Sequence, residues 1–175
     1  ISQLALANLD YDYRNRHHLS YNFMMVHDNV QSVGDYDGMD SGKFNDDYDN
    51  MGFTRRQQAN DNWLLVNQLM TNWGLTKTLS FDAGASYNVV KGSEPDRRIN
   101  NLRKAAEGYT LLEGNSQQRY FSELNENDLN VKAGLTYRLA DDQEEISNIR
   151  IGYNGRFVND DFEATEYNMT VAHSS

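Results

Sequence analysis

Leu79-Ser-Phe-Asp-Ala-Gly-Ala-Ser-Tyr-Asn-Val89 places an apolar or aromatic residue at every odd position and a polar residue or Gly at every even one. A β-strand turns successive side chains to opposite faces, so this period of two makes one face oily and the other wet. Asp128 to Leu139 repeats it, with Leu129, Val131, Ala133, Leu135, Tyr137 and Leu139 on one face. Asn130, Lys132, Gly134, Thr136 and Arg138 fall on the other. The fold follows from what the oily face meets.

Working outward, the pattern predicts an all-β chain, an antiparallel meander of about six strands. Leu4 to Tyr13 and His18 to His27 alternate in the same way around a short polar turn at Arg14 to His17. A third strand is expected over Asn62 to Leu75, where the run Trp63-Leu-Leu-Val66 leaves either face open as the oily one. Thr76 to Thr78 makes a second tight turn before Leu79 to Lys91, and an acidic turn at Ala140 to Ile146 joins the strand ending at Leu139 to Asn148–Val158. Three polar segments, 28–61, 92–127 and 160–175, read as long loops, the second with a helical turn or two over Arg97 to Gly108. Loops of roughly thirty residues are far above the usual length and are generally functional or disordered.

Connections therefore alternate short and long, which in a meander gathers the tight turns at one end and the long loops at the other. Outer-membrane barrels sort their connections in this way, with short periplasmic turns and long extracellular loops. A soluble sandwich has no reason to. Aromatic rings point the same way, since they favour the two membrane interfaces. Tyr13, Tyr21, Trp73 and Tyr137 are expected near the tight-turn end and Trp63, Tyr87 and Phe157 near the other.

Composition fits either environment. The 175 residues are 38% hydrophobic with a net charge of -10, and mean hydropathy is -0.80. Such values suggest a very soluble chain, yet 11 Tyr, 7 Phe and 2 Trp are too many aromatics for an acidic tail. No apolar run is long enough for a transmembrane helix, which leaves barrel strands open because they are only half apolar. The absence of Cys excludes disulfides and thiolate metal sites. An acidic chain without a basic stripe on its surface is a poor partner for nucleic acid. Ile1 in first place, with no leader, reads as mature or excised protein. Barrels need about eight strands or more, so the chain is expected to form part of a larger one.

Gln31-Ser-Val-Gly-Asp-Tyr36, Gly52-Phe-Thr-Arg-Arg-Gln-Gln58, Gly92-Ser-Glu-Pro-Asp-Arg-Arg-Ile-Asn-Asn101, Gln117-Gln-Arg-Tyr-Phe121 and Asp128-Leu-Asn-Val-Lys-Ala-Gly-Leu-Thr-Tyr137 add detail. Together they resemble the barrel segment of TonB-dependent outer-membrane receptors, particularly those of anaerobic gut and oral bacteria. The resemblance implies a bacterial outer-membrane location, a barrel of about 22 strands around an N-terminal plug domain, and import of a nutrient ligand driven by an inner-membrane energy-coupling complex. A surface lipoprotein is a further partner the family uses. The sequence contains no plug, no coupling box and no aromatic terminal residue, ending His173-Ser-Ser175, so the segment alone is not expected to transport. The alternative is a soluble antiparallel β-sandwich that binds glycan or protein through its long loops.

Candidate chemistry is sparse, and no enzyme is expected. Lys132, Arg138, Arg150 and Arg156 share the wet face; in lipid each would cost about 2–4 kcal/mol near the midplane, so they are expected to face a lumen, toward an acidic plug surface or an anionic ligand. Arg97 and Arg98 could fork onto a ligand carboxylate or phosphate, or order the loops as ion pairs. Asp35, Asp37, Asp40, Asp46, Asp47 and Asp49 offer oxygens for Ca²⁺, but their spacing does not match an EF-hand, and a solvated acidic loop is the simpler reading. His17, His18, His27 and His173 show no ligand spacing. No phosphate loop or nucleophile elbow occurs, and the paired acids Asp141, Asp142, Glu144 and Glu145 sit in a turn.

Overall fold

A computed structural model describes residues 1–39, 51–111, 117–139 and 147–169. It is all-β: β1 (Ser2–Tyr13), β2 (His17–Gly38), β3 (Gly52–Gly74), β4 (Leu79–Ala105), β5 (Gly108–Leu111), β6 (Gln117–Arg138) and β7 (Asn148–Met169). They form a single seven-stranded sheet in the order β1-β2-β3-β4-β6-β7, with β5 hairpinned onto the far end of β4. Every pairing is antiparallel. The sheet is open, with β1 and β7 at its edges.

Tight turns behave as their residues dictate. Arg14 and Asn15 both take positive φ, 53° and 50°, the conformation of a type I′ hairpin whose twist matches that of the flanking strands. Asn tolerates it readily, Arg less so. The Thr76 hydroxyl accepts from the amides of Thr78 and Leu79 at 3.2 and 2.9 Å, closing the second turn through a side chain. The third joins Leu139 to Ser147, whose backbone groups bond at 2.9 Å; the acidic residues 140–146 between them lie outside the described residues. All three turns gather at one end of the sheet.

The long polar segments differ from expectation. Most of 28–61 is strand, since β2 and β3 pair without interruption from His17↔Trp73 to Gly38↔Gly52. Most of 92–127 is strand too, and the helical turn expected over Arg97 to Gly108 is the far end of β4 and its hairpin. Within 160–175, β7 continues to Met169. Polar residues on both faces made these stretches resemble loops, but cross-strand pairing stabilises a sheet without a greasy face. Bulges at Gln57/Asp61 and Glu94/Arg97 interrupt two ladders just beyond the oily stretch.

Pairing register settles the faces. Leu9, Tyr21, Leu69, Ala85 and Val131 align with Gly155 in one row, and Tyr11, Leu19, Thr71, Ala83, Ala133 and Tyr153 in the next toward the turns. One apolar face therefore crosses the whole sheet, occupying Ala5–Tyr13 on β1, Leu79–Val89 on β4 and Ile149–Phe157 on β7. Its band is about 30 Å along a strand, at about 3.3 Å per residue. Measured against the pairing rows, the band sits one cross-strand row closer to the turns on β6 and β7 than on β1. The ambiguous third strand resolves as well: Trp63, Leu65, Leu69 and Trp73 share the face of Phe81, and Leu64, Val66 and Met70 point the other way. Among the described residues no second layer covers either face. Ile151 is 74% exposed, and Phe81 and Val131 are half-buried by neighbours in their own sheet.

Rings collect where the band ends. Tyr13, His17 and Trp73 stand side by side at the turn end, with centroids 5.9 and 4.8 Å apart. His27 stacks on Trp63 at 3.8 Å at the opposite end. Tyr21 is an exception, lying mid-band between Leu9 and Leu69 with its hydroxyl donating to Asn67 at 2.8 Å. Thr71, also on the apolar face, donates to the His18 carbonyl at 2.8 Å and accepts from the Trp73 indole.

Candidate functional site

The face opposite the apolar band holds the chemistry, and small residues give it room. Across β4, β6 and β7, Gly84, Gly134 and Gly152 leave a floor over which long side chains lie down. A Cβ built on Gly134 would sit 2.9 Å from an Asp82 carboxylate oxygen and 3.2 Å from Arg150 Nε. The missing side chain is what lets Arg150 on β7 reach Asp82 on β4 across β6, at 2.7 Å. Further along β7 from the turns, Arg156 donates to both oxygens of Asp128 on β6, Nη2 to Oδ2 at 3.0 Å and Nε to Oδ1 at 3.2 Å, and Asn130 adds a bond at 3.0 Å. Asp128 is the one buried charged residue among the described residues, and the fork of Arg156 offsets its desolvation.

Lys132 and Arg138 share this face, and neither has an ion-pair partner among the described residues. Lys132 lies across Gly84, where a Cβ would fall 2.7 Å from its Cε. The four expected wet-face cations thus stand together on β6 and β7, two of them neutralised locally. Beside them, Asn8, Asn22 and Gln68 form an amide ladder from β1 to β3, with Asn22 donating to Gln68 at 3.2 Å.

Arg97 and Arg98 do not converge. Arg97 lies over the Tyr120 ring, 4.1 Å from its centroid, and near Glu94 at 3.5 Å. Arg98 points to the opposite face, where it and Arg119 share Asp96. These ion pairs lie in the strands, not in loops. Asp96 is held below the usual carboxylate range chiefly by its hydrogen bonds from Arg119 and then Arg98, which favour its charged form.

Of the six acids considered for Ca²⁺, Asp40, Asp46, Asp47 and Asp49 lie outside the described residues. Asp35 accepts two bonds from Arg55, both 2.8 Å, which lower its pKa and commit it to a cation already present. Asp37, two residues on, is exposed. Among the described residues no group of three or more His, Asp or Glu is placed to hold a metal ion. His18 contacts Asp12 at 2.9 Å and His27 contacts Asp61 at 2.6 Å, on opposite faces of the sheet. His173 lies outside the described residues.

The polar face is not polar throughout. Leu4, Val26, Leu64 and Val90 form one row on the polar face, and Leu6, Met24 and Val66 the row beside it. Leu4 and Leu6 are 64% and 67% exposed. The apolar runs Met24-Met-Val26 and Trp63-Leu-Leu-Val66 were the signal, because a strand covered on both faces loses its alternation. No protein-family model matches the chain, and no curated protein matches it.

Proposed function

We propose that these strands belong to the wall of a bacterial outer-membrane β-barrel of the TonB-dependent receptor type, which takes up a nutrient ligand. The observation that carries the reading is the apolar face that crosses the whole sheet, broken within it only by Asn67 and Thr71 on β3, whose side chains bond inside the sheet. It spans six strands, each presenting about the 9–11 residues a tilted barrel strand needs, with rings at both margins and a charged face behind it. The displacement of the band against the pairing rows fits strands that cross a bilayer at a tilt. Tight turns at one end and tall polar ribbons at the other fit periplasmic and extracellular sides. Hydrocarbon cannot satisfy the free backbone groups of β1 and β7, so in this reading further strands close the barrel against both edges.

On the wet face, the Leu4, Leu6, Met24, Val26, Leu64, Val66 and Val90 cluster fits a lumen that is filled, as the plug of such a receptor would fill it. A soluble sandwich is the weaker reading, since it requires a second sheet over the apolar face and none packs there among the described residues. Cell fractionation of the intact protein tests the assignment. The expected result is recovery in the outer membrane, with the heat-modifiable gel migration of a barrel and co-purification with the periplasmic domain of the energy-coupling complex. Recovery in a soluble fraction would overturn the barrel; an outer-membrane barrel that ignores the coupling domain would overturn the receptor type alone.

A further inference from the structure

The geometry points to an oxyanion-binding position on the polar face, built around Lys132. Its side chain lines a shallow hollow of about 120 Å³ together with Gln68, Ser86, Asn130 and Asn154. Every hydrogen-bonding group there is a neutral amide or hydroxyl apart from the lysine, and the hollow contains no carboxylate. The neighbouring cations are satisfied, Arg150 by Asp82 and Arg156 by Asp128. Among the described residues Lys132, between these pairs, has no ion-pair partner.

One neighbour is already turned toward donation. Gln68 uses its carbonyl oxygen to accept from Asn22, which leaves its NH₂ to give. Ser86 offers a hydroxyl and Asn154 an amide, while the NH₂ of Asn130 is taken by Asp128. A carboxylate or phosphate seated on Lys132 would meet these donors within one small hollow, and a charged acceptor strengthens each bond. Gly84 is part of the design, because it lets the lysine lie flat along the wall.

The anion has two sources. It is either a side-chain carboxylate of a protein segment packed against this face or a free small anion. The source depends on reading the face as a lumen wall; the hollow does not. The intact protein in detergent, treated with a water-soluble carbodiimide and digested for mass spectrometry, separates them. A protein carboxylate gives an isopeptide link from Lys132 to an Asp or Glu. A free anion gives no link there, and calorimetric titration with citrate and inorganic phosphate then shows binding that weakens at least tenfold in Lys132→Gln. Gly84→Ala, which displaces the lysine but keeps its charge, weakens the link or the binding severalfold while leaving gel migration unchanged. Absence of both a Lys132 link and Lys132-dependent binding in a folded protein overturns the inference, whatever fractionation shows.

Discussion

Val131→Arg is expected to destabilise the intact protein in lipid by about 2–4 kcal/mol, the cost of a cation on the lipid face near the bilayer midplane. Val131 lies in the centre of the apolar face, between Ala85 and Gly155 in its pairing row. Asn72→Arg, on the exposed polar face beside Asp82, should stay within about 0.5 kcal/mol of the parent. Charge alone does not separate lipid from a protein core, because both reject arginine. Enlargement does: Val131→Phe should be nearly neutral if hydrocarbon yields around the ring, whereas a close-packed interior would charge about 1–3 kcal/mol for the extra volume. Denaturant midpoints in lipid vesicles read all three variants. A costly Val131→Phe would show a protein layer over that face.

The second large effect concerns Gly134. A valine there would place its Cβ within 3.2 Å of both Asp82 and Arg150, so neither can give way without disturbing their ion pair. We expect Gly134→Val to part the pair and to cost about 1–3 kcal/mol. The same substitution in an Asp82→Ala background should cost much less, since the crowded carboxylate is then gone. Equal losses in the two backgrounds would mean that the glycine serves the backbone and not the ion pair.

Alternation was enough to read six of the strands, their antiparallel order and the sorting of turns to one end. It also put Lys132, Arg138, Arg150 and Arg156 on one face, because a period of two is a covalent property of the extended chain. It failed where both faces have the same character. Gln31 to Gly38 and Asn159 to Met169 are polar on both sides and looked like loops, although backbone pairing holds them as ribbons. Trp63 to Val66 is apolar on both sides and hid its register. The pairings of Arg150 with Asp82 and Arg119 with Asp96 were not legible either. The first spans 68 positions and depends on a glycine in the strand between, and the second spans 23 positions across a ladder that a bulge shifts by one residue.

Everything here rests on the face bearing Phe81, Val131 and Ile151 meeting hydrocarbon. The direct test is a nitroxide scan of positions 129–137 in the intact protein reconstituted in vesicles, comparing collision with lipid-soluble oxygen and with a water-soluble nickel chelate. The account predicts a period of two, with Leu129, Val131, Ala133, Leu135 and Tyr137 favouring oxygen and Asn130, Lys132, Gly134 and Thr136 favouring nickel or shielded from both. Odd positions shielded from both reagents, or open to nickel, would contradict it.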